Sequence, residues 1–158
     1  MSLVCRKSRI LFVVLGLFMF ALPLQGQSTE KRVALVIGNG AYEHLRRLAN
    51  PANDARDISD ALSELGFEVI SRIDADRSAM EEALLDFAVT LQSGNAVGMF
   101  YYAGHGVQSR GSNYLLPVDA DIDSEAELRV RAVEADLVLE YMNDAGNPLN
   151  LIVLDACR

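Results

Sequence analysis

The chain has 158 residues, 51% of them apolar, with 22 acidic side chains against 14 basic ones and a formal charge of −8. That length and apolar content suit one domain with a buried core, and the negative charge is the wrong sign for a nucleic-acid binder, which needs a basic face to displace counterions. With two histidines and two cysteines, a zinc site of ordinary ligand type is not expected.

Residues 1–27 read as a secretory signal: Arg6, Lys7 and Arg9 form a basic start, Ile10–Leu24 an apolar run, and Gly26-Gln27-Ser28 a site of small or polar residues for cleavage. The run is short for a spanning helix, so no stable membrane span is expected once it is removed. The mature chain would be exported, periplasmic or secreted. Loss of the three basic residues takes the formal charge from −8 to −11. Cys157 is then the sole thiol, either buried and inert or reactive.

From Lys31 on, the chain alternates strand and helix patterns. Val33–Ile37 is a continuous apolar run, read as a central strand, ended by Gly38-Asn39-Gly40. Those glycines invite a dinucleotide reading, but the third glycine of that fingerprint is missing. Tyr42–Leu48 reads as a loop with a short helical turn, with His44 on the surface. Asn50-Pro51 opens a helix, Asn as cap and Pro at its first position, with Ala55, Ile58, Ala61, Leu62 and Leu65 inward and Gly66 closing it. Phe67–Ile73 is the next strand. Ser78 and Glu81 have capping-box spacing for a helix through Leu91, with Met80, Ala83, Leu84, Phe87, Ala88 and Leu91 inward.

The uncharged run Ala96–Tyr102 predicts a third buried strand, stopping at Ala103-Gly104, with a polar loop over Gly106–Gly111. Asn113–Val118 reads as a short strand broken by Pro117, Asp119–Glu127 as an acidic loop, and Val133–Met142 as a helix. Pro148 separates that helix from the last strand, Leu149–Leu154. Alternation of this kind implies an α/β fold with a mostly parallel sheet and right-handed crossovers.

Two buried strands therefore deliver His105 and Cys157 to their carboxyl ends, where open α/β sheets place their sites. Glycines on both sides of His105 leave room for another molecule to approach the imidazole. A thiol attacks a carbonyl as thiolate, and a nearby imidazole can hold it in that form and shuttle its proton. The backbone N–H groups of Gly106 and Cys157 are candidate oxyanion donors. Taken alone, a lone cysteine on an apolar strand is more often an inert core residue.

The segment Lys31–Arg158, with Y-A-G-H-G at 102–106, N-Y-L-L-P-V-D at 113–119 and L-D-A-C-R at 154–158, resembles the large-subunit region of the caspase-like cysteine peptidases, and most of all the bacterial members related to metacaspases. The resemblance implies a three-layer α/β/α sandwich, incomplete at the C-terminus. It also implies His105 and Cys157 as the catalytic dyad, and peptide hydrolysis through an acyl-enzyme. Asp155, where aspartate-cutting caspases have Gln, and Asp54 of Asn53-Asp54-Ala55 would line the substrate pocket; two anions there would bind Arg or Lys and repel Asp. Outside the resemblance, Asp54 reads as a helix-dipole partner and Asp155 as a carboxylate satisfied by loop amides.

No cofactor is expected. Asp119, Asp121, Asp123 and Asp136 could offer oxygen to calcium, which some relatives need, but no calcium-loop glycine spacing occurs, and an acidic surface loop is the plainer reading. Caspase-like folds continue beyond the nucleophile, so 28–158 is expected to be a catalytic domain truncated after Cys157, with an uncovered sheet edge and a C-terminal partner segment to complete it. The expected partner is a peptide or protein substrate. A catalytically incomplete binding or scaffold module is the alternative; a flavodoxin-like ligand-binding domain is disfavoured by the incomplete glycine loop.

Overall fold

The computed structural model describes residues 30–92 and 95–157, Cys157 by its backbone. The expected signal segment, 1–27, lies outside the described residues. The apolar runs become strands β1 (Lys31–Gly38), β2 (Glu68–Ile73), β3 (Ala96–Ser109), β4 (Ser112–Leu115), β5 (Val133–Glu134) and β6 (Leu149–Cys157). The helices are α1 (Pro51–Glu64), α2 (Arg77–Leu91), the single turn α3 (Leu128–Arg131) and α4 (Ala135–Asp144). β2, β1, β3 and β6 lie side by side in parallel, β3 having β1 along one edge and β6 along the other. Beyond them β3 runs on to pair antiparallel with β4, which pairs with β5.

Because β1 and β3 are buried on both faces, each face needs its own cover. On one, α2 and α4 enclose Val33, Leu35, Ile37, Phe87, Phe100 and Tyr102. On the other, α1 covers Ala34, Val36, Tyr101 and Ala103. The result is the expected α/β/α sandwich.

Several local expectations change. β3 does not stop at Ala103-Gly104: hydrogen bonding to β6 carries it through His105 and pairing with β4 through Ser109, so the expected polar loop is a hairpin. Its turn is Arg110-Gly111, both at positive φ, which suits a two-residue hairpin turn. The cap of α2 is Asp76, whose carboxylate accepts the Ala79 N–H at 2.8 Å, and Ser78 lies inside the helix. Asn50 caps α1 with its carbonyl, not its side chain, and Leu65 is 61% exposed instead of inward. The 133–142 helix begins two residues late because Val133 and Glu134 are taken up by β4.

Gly38-Asn39-Gly40 serves the fold. Asn39 is fully buried, its amide nitrogen donating to the carbonyls of Ala75 (3.3 Å) and Leu116 (3.1 Å), its oxygen accepting the Ala75 N–H at 2.9 Å. It ties the end of β1 to the start of α2 and to the chain beyond β4. Asn39→Ala should cost about 2–4 kcal/mol, since it leaves a buried N–H and carbonyls without their partner. Denaturant unfolding checks this, and a loss under 1 kcal/mol would contradict it. Gly38 packs so close to α1 that a Cβ there would collide with the Pro51 carbonyl oxygen and the Ala55 Cβ.

Candidate active site

β3 and β6 run in a parallel register that pairs Ala103 with Asp155, Gly104 with Ala156 and His105 with Cys157. Neighbouring strands are about 4.8 Å apart, so the sheet sets the two candidate catalytic residues abreast. His105 is half-buried and held from several sides. Its Nε2 lies 2.8 Å from the Arg46 carbonyl oxygen. A carbonyl can only accept, so Nε2 carries the ring proton, and in the neutral imidazole Nδ1 keeps the lone pair. The backbone N–H of His105 donates to the Tyr42 hydroxyl at 2.7 Å. Its carbonyl accepts from the Tyr102 hydroxyl at 2.8 Å and the Leu116 N–H at 3.1 Å. The Tyr42 ring lies 4.6 Å from the imidazole, tilted by 48°.

The loop that supplies Arg46 is anchored at its start. The N–H groups of Gly40 and Ala41 both donate to Asp74 Oδ1 at 2.8 Å, Leu48 N–H donates to the Gly40 carbonyl, and Glu43 N–H to the Val118 carbonyl. The short helical turn expected in this stretch does not form, and its role rests on a backbone carbonyl, which no residue type marks.

Beside His105 opens a cavity of about 250 Å³ walled by Asn50, Pro51, Ala103 and His105, with Asp54 and Asp155 both on it. Such a volume suits a single side chain better than a drug-sized ligand, for which pockets run upward from roughly 300 Å³. Asp54 sits in the first turn of α1 and Asp155 near the end of β6, two residues before Cys157, a strand distance of about 6–7 Å. Among the described residues neither carboxylate forms an ion pair. Tyr101, which sequence reading placed only in a buried strand, belongs beside them. Burial raises its pKa above the usual tyrosine value, and the charges of Asp155 and then Asp54 raise it further. The strand period 101, 103, 105 was the available signal.

Gly106 lines a separate cavity of about 200 Å³, with Tyr114, Leu115, Leu154 and Ala156. The acidic loop does not converge: Asp119 accepts the Arg77 N–H, Asp123 donates its N–H to Glu127, and among the described residues no three His, Cys, Asp or Glu side chains are placed to share a metal ion.

The family model for the caspase domain matches residues 31–158. The chain belongs to the caspase family. The human mucosa-associated lymphoid tissue lymphoma translocation protein 1 is 33% identical over 129 residues, covering 82% of this chain and 15% of that protein. A paracaspase of Dictyostelium discoideum is 26% identical over 137 residues, covering 84% of this chain and 32% of its own. This caspase domain thus spans a third or less of those relatives' length. A crystal structure of a Geobacter sulfurreducens protein shares the fold, with a TM-score of 0.59 at 19% identity, over 80% of this chain and 50% of that one.

The caspase domain's tyrosines also set a pH limit. Burial is the main cause that raises the pKa of Tyr42, and of Tyr102 much further. A phenol harder to ionise folded than unfolded stabilises fully below the unfolded value near 10, and that contribution is lost as pH rises through the folded pKa. Stability should therefore fall above pH 10 by up to about 1.4 kcal/mol per pH unit for each such tyrosine. Urea unfolding between pH 9 and 11.5 checks this, with Tyr102→Phe expected to flatten the slope.

Proposed function

We propose that this caspase domain is a metacaspase-like cysteine endopeptidase that cuts after Arg or Lys. The observation that carries the reading is the register of His105 with Cys157 beside a cavity holding two carboxylates. With Nε2 engaged by Arg46, Nδ1 is the nitrogen free to take the Cys157 thiol proton. The thiolate then adds to the substrate carbonyl carbon, and the oxyanion is met by the N–H groups of Gly106 and Cys157. Collapse expels the amine, which receives the proton from Nδ1 and leaves Cys157 acylated. A water gives its proton to Nδ1, attacks the thioester and releases the acid and the thiol. Asp54 and Asp155 select the substrate's basic side chain before the scissile bond, a cation that would relieve their mutual repulsion. The chemistry draws on no cofactor, and calcium has no assigned role in it. An exported, periplasmic or secreted, site of action accompanies the reading through 1–27.

A binding or scaffold module is the second reading, and β6 favours it. β6 pairs with β3, and Leu149, Leu151, Val153 and Leu154 on it are 39–49% exposed. Such an edge suits pairing with a further segment that completes the cleft. Fluorogenic peptides ending in Arg, Lys or Asp, offered to the chain with and without calcium, test the proposal. Turnover of Arg and Lys peptides supports it, and turnover of Asp peptides alone refutes the acidic pocket. A folded chain that turns over none of them leaves the module reading ahead.

A further inference from the structure

We propose that Tyr42 and Tyr102 are a positioning pair that clamps His105 by its own backbone, and that Tyr102 and Gly104 of the Y-A-G-H-G motif are there to build this clamp. The inference rests on His105 being the catalytic imidazole.

The contacts form a directed ring. His105 N–H donates to Tyr42 Oη at 2.7 Å. The two phenol oxygens are 3.2 Å apart. Tyr102 Oη is 2.8 Å from the His105 carbonyl oxygen and 2.9 Å from that of Leu116. Each phenol has one proton to give. Tyr42, already an acceptor from His105, gives its own to Tyr102 or to the Leu116 carbonyl, which is 3.3 Å away. Tyr102 gives its proton to one of the two carbonyls. With Tyr42 giving its proton to Tyr102 and Tyr102 its own to the His105 carbonyl, the polar chain leaves His105 at its N–H and returns at its carbonyl, through two residues that are 3% and 0% exposed. Buried hydrogen-bond chains of this sort polarise one another and tolerate little displacement.

Gly104 shows how tightly the ring is drawn. A Cβ on Gly104 would lie 2.6 Å from both phenol oxygens. Only a residue without a side chain lets the two hydroxyls approach the 104–105 peptide. The same Tyr42 whose hydroxyl accepts the backbone N–H lays its ring against the imidazole, while Arg46, four residues on, takes Nε2. One loop thereby fixes the backbone, the ring plane and the tautomer of His105. Both phenols stay protonated through the neutral range, because burial raises their pKa values.

Leu116 links the clamp to the core. Its carbonyl accepts from Asn39 and lies within hydrogen-bond distance of both phenol oxygens, and its N–H donates to the His105 carbonyl. The tyrosine pair is therefore braced against the buried end of β1, not against solvent.

The test reads the imidazole directly. The chain has two histidines, so ¹⁵N spectra of the ring nitrogens are assigned with a His44→Gln variant. Wild type should show neutral His105 protonated at Nε2 alone. Tyr42→Phe, which strips the acceptor from the His105 N–H, should give a mixture of tautomers and a shifted titration; Tyr102→Phe should do so to a smaller degree. With an Arg peptide, Tyr42→Phe should lower kcat by about 10–100-fold at nearly constant KM, the scale of an ångström-level misplacement. Because the ring breaks at either tyrosine, the double variant should be no slower than the worse single one, whereas two independent packing defects would multiply. Unchanged tautomer and titration in folded single variants would overturn the proposal. Should both variants unfold, wild type still decides: two slowly exchanging hydroxyl protons with nuclear Overhauser contacts to the His105 N–H are expected, and their absence overturns it. A wild-type chain with no turnover but an intact Nε2 tautomer that Tyr42→Phe disturbs would sink the peptidase reading and keep the clamp.

Discussion

Cys157→Ala should reduce hydrolysis of an Arg-ending fluorogenic peptide by at least about 10⁴-fold, to the residue that binding and oxyanion contacts alone supply. The reason is chemical: alanine removes the only group in the proposed site that forms the acyl bond, and Cys157 is the sole cysteine beyond the expected signal segment. His105→Gln should cost about 10³-fold or more, because glutamine neither takes the thiol proton nor returns it to the leaving amine. The two act as a unit, so the double variant should be no slower than Cys157→Ala. Alkylation by iodoacetamide separates the roles: His105→Gln should make Cys157 react more slowly near pH 7, since less of it is thiolate. Turnover retained by Cys157→Ala would end the peptidase reading.

Asp155→Asn should lower kcat/KM for the Arg peptide by roughly 10–150-fold, the equivalent of one charge-assisted hydrogen bond at about 1.5–3 kcal/mol. Asp155 lies in the same cavity as Asp54, with Tyr101 close to both. Substituting one carboxylate therefore removes attraction for the incoming cation and also relieves repulsion in the empty pocket. For that reason Asp54→Asn added to Asp155→Asn should cost less than the product of the single effects. The loss should fall on basic peptides only. A peptide ending in a neutral residue should be cut at least as well as before, since the pocket then holds one charge fewer to select against it. Equal losses on basic and neutral peptides would mean that Asp155 shapes the backbone near Cys157 instead of reading the substrate.

The apolar runs and their spacing made the architecture legible. Val33–Ile37 and the run before His105 could only be strands buried on both faces, and the periodic residues of α2 from Met80 to Leu91 are its buried face. Boundaries were less legible where two local signals competed. Ser78-x-x-Glu81 has the spacing of a capping box, but the backbone takes Asp76 as cap, whose carboxylate reaches the Ala79 N–H. The glycines flanking His105 suggested a strand end, but ladder pairing to β6 and β4 keeps a glycine-rich strand extended. Val133 and Glu134 have helical surroundings and are drawn into β5 by partners 18 and 20 residues earlier.

The sequence by itself determined which residue types stand at the ends of the strands: a His between glycines, a lone Cys, and an Asp two places before it. Side-chain chemistry and strand period are local properties, so they survive reading in one dimension. Only the tertiary structure decided what surrounds them. The register of β3 on β6 sets His105 beside Cys157, α1 brings Asp54 across to the cavity of Asp155, and the 39–50 loop delivers the Arg46 carbonyl and the Tyr42 hydroxyl to opposite parts of His105. The two loop contacts to His105 join groups 59 and 63 residues apart, and one of them is made by a backbone carbonyl that every residue carries. Nothing in a linear string distinguishes that carbonyl from its neighbours; the fold does so by where it places the chain.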